Sequence, residues 1–214
     1  MMKILVTGFE PFGEDVLNPS ALILEKVPKK ILDAEIKTLL VPTVFHQSIL
    51  RVCEQVDLEK PDVVLLLGQA GGRKAMTMER VAININDARL PDNEGHQPLD
   101  EPIVSGGPSA YFSTLPIKAM VAAMRGVGVP AEVSNSAGTF VCNHLLYGVL
   151  HHCQEKKLSV KVGFLHVPYL PEQVGEREEL FSLPLEEMVK AVEAAMRVAL
   201  LQQEDLKLPL GTTH

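Results

Sequence analysis

Three side chains of this sequence are of the types that nucleophilic acyl chemistry needs: Cys142, His166 and Glu79. Cys142 lies in the stretch VSNSAGTFVCNHLLY, residues 133–147. Apolar residues 130–133 read as the end of a short buried strand, and Ser-Asn-Ser-Ala-Gly then breaks regularity. Cys142, Leu145, Leu146, Val149 and Leu150 follow at the spacing of an amphipathic helix. A thiol in the first turn of a helix meets backbone N–H groups that have no partner, and the positive end of the helix dipole. Both favour a thiolate, and the same N–H groups can hold the oxyanion of a tetrahedral intermediate. A free cysteine is also commonly a small buried apolar side chain, so Cys142 alone leaves both readings open.

A cysteine nucleophile needs a base within reach, and the base needs a third group to orient it. Of the seven histidines, His46 starts a helical stretch, His96 lies in a long polar loop, and His151 and His152 lie late in the Cys142 helix. His144 is two positions past the cysteine, and positions i and i+2 of a helix do not face each other. His166 closes the apolar stretch SVKVGFLH, with Pro168 just beyond, so a separate strand could deliver it to the cysteine loop. Its alternative is a core histidine with satisfied hydrogen bonds. Glu79 sits in MTMERVAIN, where a buried carboxylate is costly unless paired. An imidazolium would serve as partner; a structural ion pair with Arg80 or Arg89 is the alternative. His144, His151, His152 and Cys153 lack the i,i+4 histidine spacing of a helical zinc site, and no CxxC occurs. GQAGG after a strand fits neither dinucleotide nor P-loop spacing, so it is a weak nucleotide signal.

The elements that must position these groups alternate along the chain. Strands are expected at residues 3–9, 35–41, 62–67, 76–85, 131–133 and 159–166, and helices at 19–27, 45–58, 116–125, 142–154 and 185–202. Asn18-Pro19-Ser20 reads as a cap followed by proline at the first helical position. The near-continuous aliphatic DVVLLL suits a parallel strand covered on both faces. Residues 86–109 form a loop long enough to be functional or mobile. This order predicts an α/β fold, a three-layer α/β/α sandwich around a mostly parallel twisted sheet, formed by residues 1–214 as one domain. Ligands gather at the carboxyl ends of strands in such sheets, where Phe9, Gly68, Gln69, the Cys142 loop and His166 all fall.

At 214 residues and 46% hydrophobic, the chain has ample material for a core. No apolar run approaches the length of a membrane span, and the N-terminus lacks the features of a secretory signal. A net charge of −7 without a dense Lys/Arg cluster argues against nucleic acid as a partner. Three cysteines in a chain of this size suit a reducing, cytoplasmic setting.

Five segments resemble pyroglutamyl peptidase type I: TGFEPFG with Asn18-Pro19-Ser20, GQAGGR, ERVAININDARLPDNEG, SNSAGTFVCNHLLYG and HVPYLPEQ. They span most of the chain in the family's order. The resemblance implies a cysteine peptidase that removes an N-terminal pyroglutamyl (5-oxoprolyl) residue from peptides, with no metal or organic cofactor. It assigns Cys142 as nucleophile, His166 as general base and acid, and Glu79 as the orienting carboxylate. Phe9 and Phe12 would sandwich the lactam ring, and Asn18, Thr43, Gln69, Phe140 and Val141 match pocket or near-pocket positions. Arg89 and the Gly68 region, together with the Cys142 backbone N–H, would serve the oxyanion. The family's usual assembly is a homotetramer. Some thermophilic relatives link subunits through a cysteine in the last helix, and residues 185–202 contain none, so non-covalent assembly is expected. A non-catalytic binder of small lactams or nucleosides on the same scaffold is the alternative function.

Overall fold

The computed structural model describes residues 1–177 and 179–211. In chain order the elements are β1 (Lys3–Phe9), α1 (Pro19–Lys26), β2 (Lys30–Ile31), β3 (Ala34–Val41), α2 (Gln47–Glu59), β4 (Val63–Gln69), β5 (Met76–Glu79), β6 (Val81–Ile83), β7 (Ala110–Phe112), α3 (Ile117–Gly126), β8 (Ala131–Ser134), α4 (Val141–Glu155), β9 (Lys161–Val167), α5 (Pro171–Val174) and α6 (Leu185–Leu201). Seven strands form the main sheet in the order β2-β3-β1-β4-β9-β5-β8, and β6 pairs with β7 in a small separate sheet. Strands β3, β1, β4 and β9 run parallel; β5 is antiparallel to β9 and parallel to β8, and β2 is antiparallel to β3. The sheet is therefore mixed and mostly parallel, as its aliphatic strands suggest.

Alternation along each strand sorts side chains between two cores. Ile4 and Val6 of β1, Leu65 and Leu67 of β4, and Met76 and Met78 of β5 face α1, α3 and α6. Leu5, Val64, Leu66 and Phe164 face α2 and α4. The same two-residue period puts Gly68, Thr77, Glu79 and His166 on the α4 face, beside the helix that carries Cys142.

The segment expected as one strand over residues 76–85 is two strands. At Arg80 the chain changes partner: its N–H donates to Ser134 O at 2.8 Å and its carbonyl accepts from Ser113 N at 2.9 Å. The helix expected from residue 45 begins at Gln47, because His46 adopts a left-handed backbone, φ 62°, and turns its N–H toward the His144 ring. Strand β2, strand β7 and helix α5 have two, three and four residues, too few to show a period.

Helix α1 is held by its cap. Asn18 Oδ1 accepts from Ser20 N at 3.0 Å and from Ser20 Oγ at 2.8 Å, while Ser20 Oγ accepts from Phe9 N at 2.9 Å. Strand β1 and α1 consequently approach so closely that a Cβ on Gly8 would stand 2.3 Å from Ser20 O. We expect Gly8→Ala to destabilise the protein by about 1–3 kcal/mol, because backbone rather than a flexible side chain must yield. Thermal unfolding would show this as a loss of about 2–4 °C per kcal/mol for a chain of this size. An unchanged Tm would mean that β1 and α1 are not held so close.

Candidate active site

His166, near the end of β9, and Glu79, at the end of β5, form a buried pair. His166 Nδ1 lies 2.7 Å from Glu79 Oε1, with the residues 3% and 0% exposed. Burial works to raise the Glu79 pKa, but the His166 hydrogen bond and charge, together with Arg73, hold it below the usual carboxylate range. An ionised carboxylate can only accept, so Nδ1 carries the proton and Nε2 is the free nitrogen. Burial pushes His166 below its ordinary pKa, and the nearby Arg73 cation adds to the effect. Together they outweigh Glu79, so the imidazole is neutral at rest.

Cys142 is the second residue of α4, whose cap residue Phe140 supplies no side-chain hydrogen bond. No side-chain cap therefore occupies the first-turn N–H groups, and Cys142 and His166 line one cleft. A Cβ on Gly68 would stand 2.9 Å from Cys142 Sγ, and Gly68 is the cross-strand partner of His166. Only a residue without a side chain leaves room for the sulfur above the sheet. The expected standing thiolate is not what this setting favours: burial, then the Glu79 charge, push the thiol up to about 12, and only Arg73 pulls the other way. The helix terminus helps the anion once it forms, but desolvation outweighs it.

Sequence reasoning weighed Arg80 and Arg89 as ion partners of Glu79, and the structure supplies Arg73 instead. Arg73 NH1 reaches Glu79 Oε1 at 2.5 Å and also donates to Thr77 Oγ1, and its NH2 donates to Ser136 O at 2.9 Å. Arg80 donates to Asn135 Oδ1 at 2.8 Å, and Arg89 lines the cleft. The available signal was the arginine ending GQAGGR: a buried carboxylate calls for a nearby cation, and a strand-end turn can deliver one from a distant part of the sequence.

The cleft has a volume of roughly 430 Å³ and gathers Phe9, Phe12, Asn18, Thr43, Gln69, Arg89, Phe140, Val141, Cys142 and His166. Phe9, Phe12, Asn18, Thr43, Gln69, Phe140 and Val141, the residues expected in the pocket, all line it; Gly68 lies against the Cys142 sulfur and Glu79 against His166. Phe9 packs toward Phe164, with ring centroids 6.5 Å apart, and Phe12 toward Phe140 at 6.0 Å. Several polar groups hold the walls. Asn18 Nδ2 and Thr43 Oγ1 both donate to Glu10 O, while Gln69 donates to Asp15 at 2.7 Å and accepts from Gln173 at 2.9 Å.

The long loop over residues 86–109 is an ordered strap. Asp92, its side chain fully buried, accepts from the N–H groups of Phe45, Glu94 and His96, each at 2.9 Å. Burial works to raise the Asp92 pKa, but those backbone bonds hold it below the usual range. Asn93 N donates to Thr43 O at 3.1 Å, and Asp87 N to Thr139 O at 3.0 Å, tying the strap to both sides of the cleft. Arg89 is thereby carried to the cleft with an exposed guanidinium. His144 anchors the strap's start: its Nε2 accepts from His46 N at 2.8 Å and its Nδ1 meets Asn86 Oδ1 at 2.9 Å. His151 and His152 are engaged with Tyr111 OH and Asp57, so the late helix histidines do not converge.

A thiol at a helix N-terminus, set over a sheet beside a buried imidazole–carboxylate pair, defines the class as a cysteine hydrolase on an α/β/α scaffold. The family model described as pyroglutamyl peptidase matches residues 2–202. The chain is 53% identical over 197 residues to the pyrrolidone-carboxylate peptidase 1 of Caldanaerobacter subterraneus subsp. tengcongensis, covering 92% of this chain and 97% of that protein. It is 50% identical over 215 residues to the pyrrolidone-carboxylate peptidase of Streptococcus pyogenes, covering all of both. Among solved structures, pyroglutamyl peptidase I from Bacillus amyloliquefaciens superposes with TM-score 0.94 at 43% identity, covering 97% of this chain and 99% of that one. Pyrrolidone carboxyl peptidase from Thermococcus litoralis gives TM-score 0.94 at 39% identity, covering 98% and 100%. The chain belongs to the pyroglutamyl peptidase family, and it is a cysteine peptidase.

The His144 anchor carries a pH signature. Burial, with a smaller effect of His46, lowers its pKa from 6.5 to about 3. Above pH 6.5 neither folded nor unfolded chain holds the proton, and the anchor contributes in full. As pH falls from 6.5 toward about 3, the unfolded chain binds a proton that the fold refuses, so stability declines. His166, lowered by burial, adds slope in the same direction. We expect Tm to fall with pH across this window, and more shallowly in His144→Asn. Identical slopes would remove His144 from the acid response.

Proposed function

We propose that this protein hydrolyses the amide bond following an N-terminal pyroglutamyl residue, with Cys142 as nucleophile, His166 as base and acid, and Glu79 as the orienting carboxylate. The observation that carries this reading is the buried Glu79–His166 pair, with its free Nε2 in the cleft that also receives Cys142. Thiol and imidazole are both neutral at rest, so the sulfur gives up its proton as it attacks. Nε2 takes the S–H proton while sulfur bonds to the pyroglutamyl carbonyl carbon, giving a tetrahedral intermediate. The Cys142 backbone N–H is the first donor to its oxyanion, with Arg89 adding positive charge from the strap and Gly68 leaving the space below. The C–N bond breaks, Nε2 protonates the leaving amine, and a thioester remains. Water attacks the thioester as His166 takes its proton, releasing pyroglutamate, and the thiol is restored.

The ring half of the cleft fits the substrate's chemistry. Pyroglutamate has no free amine, only a flat lactam with one N–H and one carbonyl, so its site needs apolar faces and a few dipoles. Phe9, Phe12, Phe140 and Val141 supply the faces, and the Asn18, Thr43 and Gln69 regions supply held polar groups. A non-catalytic lactam binder is not favoured, since it would have no use for a thiol against a buried ion pair. The working form is a homotetramer in the cytoplasm, held without inter-subunit disulfides; the family resemblance supports the assembly, and α6 has no cysteine.

With a pyroglutamyl anilide as substrate, Cys142→Ser and His166→Ala should each lower kcat by about 10⁴-fold or more, and Glu79→Gln by about 10²- to 10⁴-fold. Far-UV circular dichroism should be unchanged in all three. A Cys142→Ser enzyme with near-native turnover would identify a different nucleophile. The corresponding prolyl anilide lacks the lactam carbonyl and should be cleaved at least about 10-fold more slowly, since each buried dipole left unpaired costs about 1–3 kcal/mol. Equal kcat/KM for the two would contradict a lactam-reading pocket.

A further inference from the structure

We infer that Arg73 is a positioning residue for the reaction: one guanidinium holds Glu79 against His166 and also holds the loop that leads into Cys142. The inference rests on the proposed roles of those three residues. Glu79 Oε1 is shared, accepting from His166 Nδ1 at 2.7 Å and from Arg73 NH1 at 2.5 Å. Oε1 is thus the oxygen that takes both strong donors, and the Ser134 hydroxyl adds a weaker pull on the same carboxylate. The other arm of the guanidinium donates to Ser136 O, in the turn between β8 and the N-terminus of α4. The base arrives on one strand and the nucleophile on the helix that follows a separate loop, and Arg73 is bonded both to the carboxylate that holds the base and to that loop. Lysine could not reproduce this, because a single ammonium lacks the planar fork that spans two acceptors in fixed directions.

The cation also bears on proton transfer. The charged or titratable groups around His166 are Glu79 from β5, Arg73 from the turn after β4, Cys142 from α4 and Arg89 from the strap. Strand β4 brings only Gly68 and Gln69. Lys74 and Glu132 line, with Arg73, a neighbouring groove that His166 does not line. Arg73 keeps Glu79 ionised and opposes a second positive charge on His166, so it favours an imidazole free to accept the thiol proton.

The test compares Arg73→Met, Arg73→Gln and Arg73→Lys with the unaltered protein, reading kcat, KM and the pH profile of kcat/KM on a pyroglutamyl anilide. His166 is also titrated by ¹⁵N NMR. For Arg73→Met we expect kcat to fall about 10-fold or more, KM to stay within about twofold, and the acidic limb to move up by about one pH unit. The NMR titration should move with it. Arg73→Lys should restore the limb but only part of kcat, because it keeps the charge and loses the fork. If Arg73→Met does not fold, Arg73→Gln reads the same limb. An unmoved limb and an unmoved His166 titration in the neutral variants would overturn the inference, as would a KM rise with kcat intact. Should the unaltered protein release no amine, the proposed function falls by itself, while the NMR titration still decides whether Arg73 governs His166.

Discussion

The structure depends on one oxygen atom. Glu79 Oε1 lies fully out of water and accepts from an imidazole and a guanidinium at once. A carboxylate in that position would be strongly destabilising alone; with two donors it remains ionised and becomes a rigid anchor. Its ionisation decides the tautomer of His166: the proton sits on Nδ1, against Glu79, and the other ring nitrogen is left as an acceptor. Sheet parity makes the arrangement achievable, because Glu79 and His166 lie on neighbouring strands with side chains on the same face.

Cys142 shows two opposing influences on a single thiol. The first turn of α4 favours a thiolate, while burial and the Glu79 charge favour the protonated form, and burial prevails. The consequence is a thiol that holds its proton at neutral pH. A neutral thiol beside a neutral imidazole also suits a neutral substrate ring, since no fixed charge in the ring half needs to be matched.

Most buried polar groups away from the reacting atoms hold loops. Asp92 collects three backbone N–H groups, His144 joins α4 to Asn86 and His46, and Asn143 bonds the main chain of Ile83 and Ile85. Asp92 and His144 fix segments without regular structure, and Asn143 fixes the end of β6 and the residues after it. Because an unpaired buried polar group is costly, these bonds restrict the strap more tightly than apolar contacts of the same area would. That is why so long a loop can carry Arg89 to the cleft as part of a rigid wall.

Much was legible in the residues themselves. Aliphatic runs marked the central strands, Asn18-Pro19 marked the start of α1, and a cysteine opening an amphipathic stretch marked α4, because these signals depend on neighbours along the chain. Residue type and position at strand ends singled out Cys142, His166 and Glu79 as candidates while leaving a structural reading open for each, and family resemblance supplied their roles and the pocket. Other features depended on the fold. Strands β2 and β7 are too short to have a period, and the break at Arg80 exists only because the chain exchanges one strand partner for another. The cation for Glu79 was sought in nearby Arg80 and Arg89, whereas the turn after β4 brings Arg73. Local sequence determines what each segment can become, because capping and periodicity act within a few residues. Which charge meets which, and whether a thiol is dry or wet, was decided by the tertiary structure, since Coulomb interactions and desolvation depend on distance and burial in the assembled molecule.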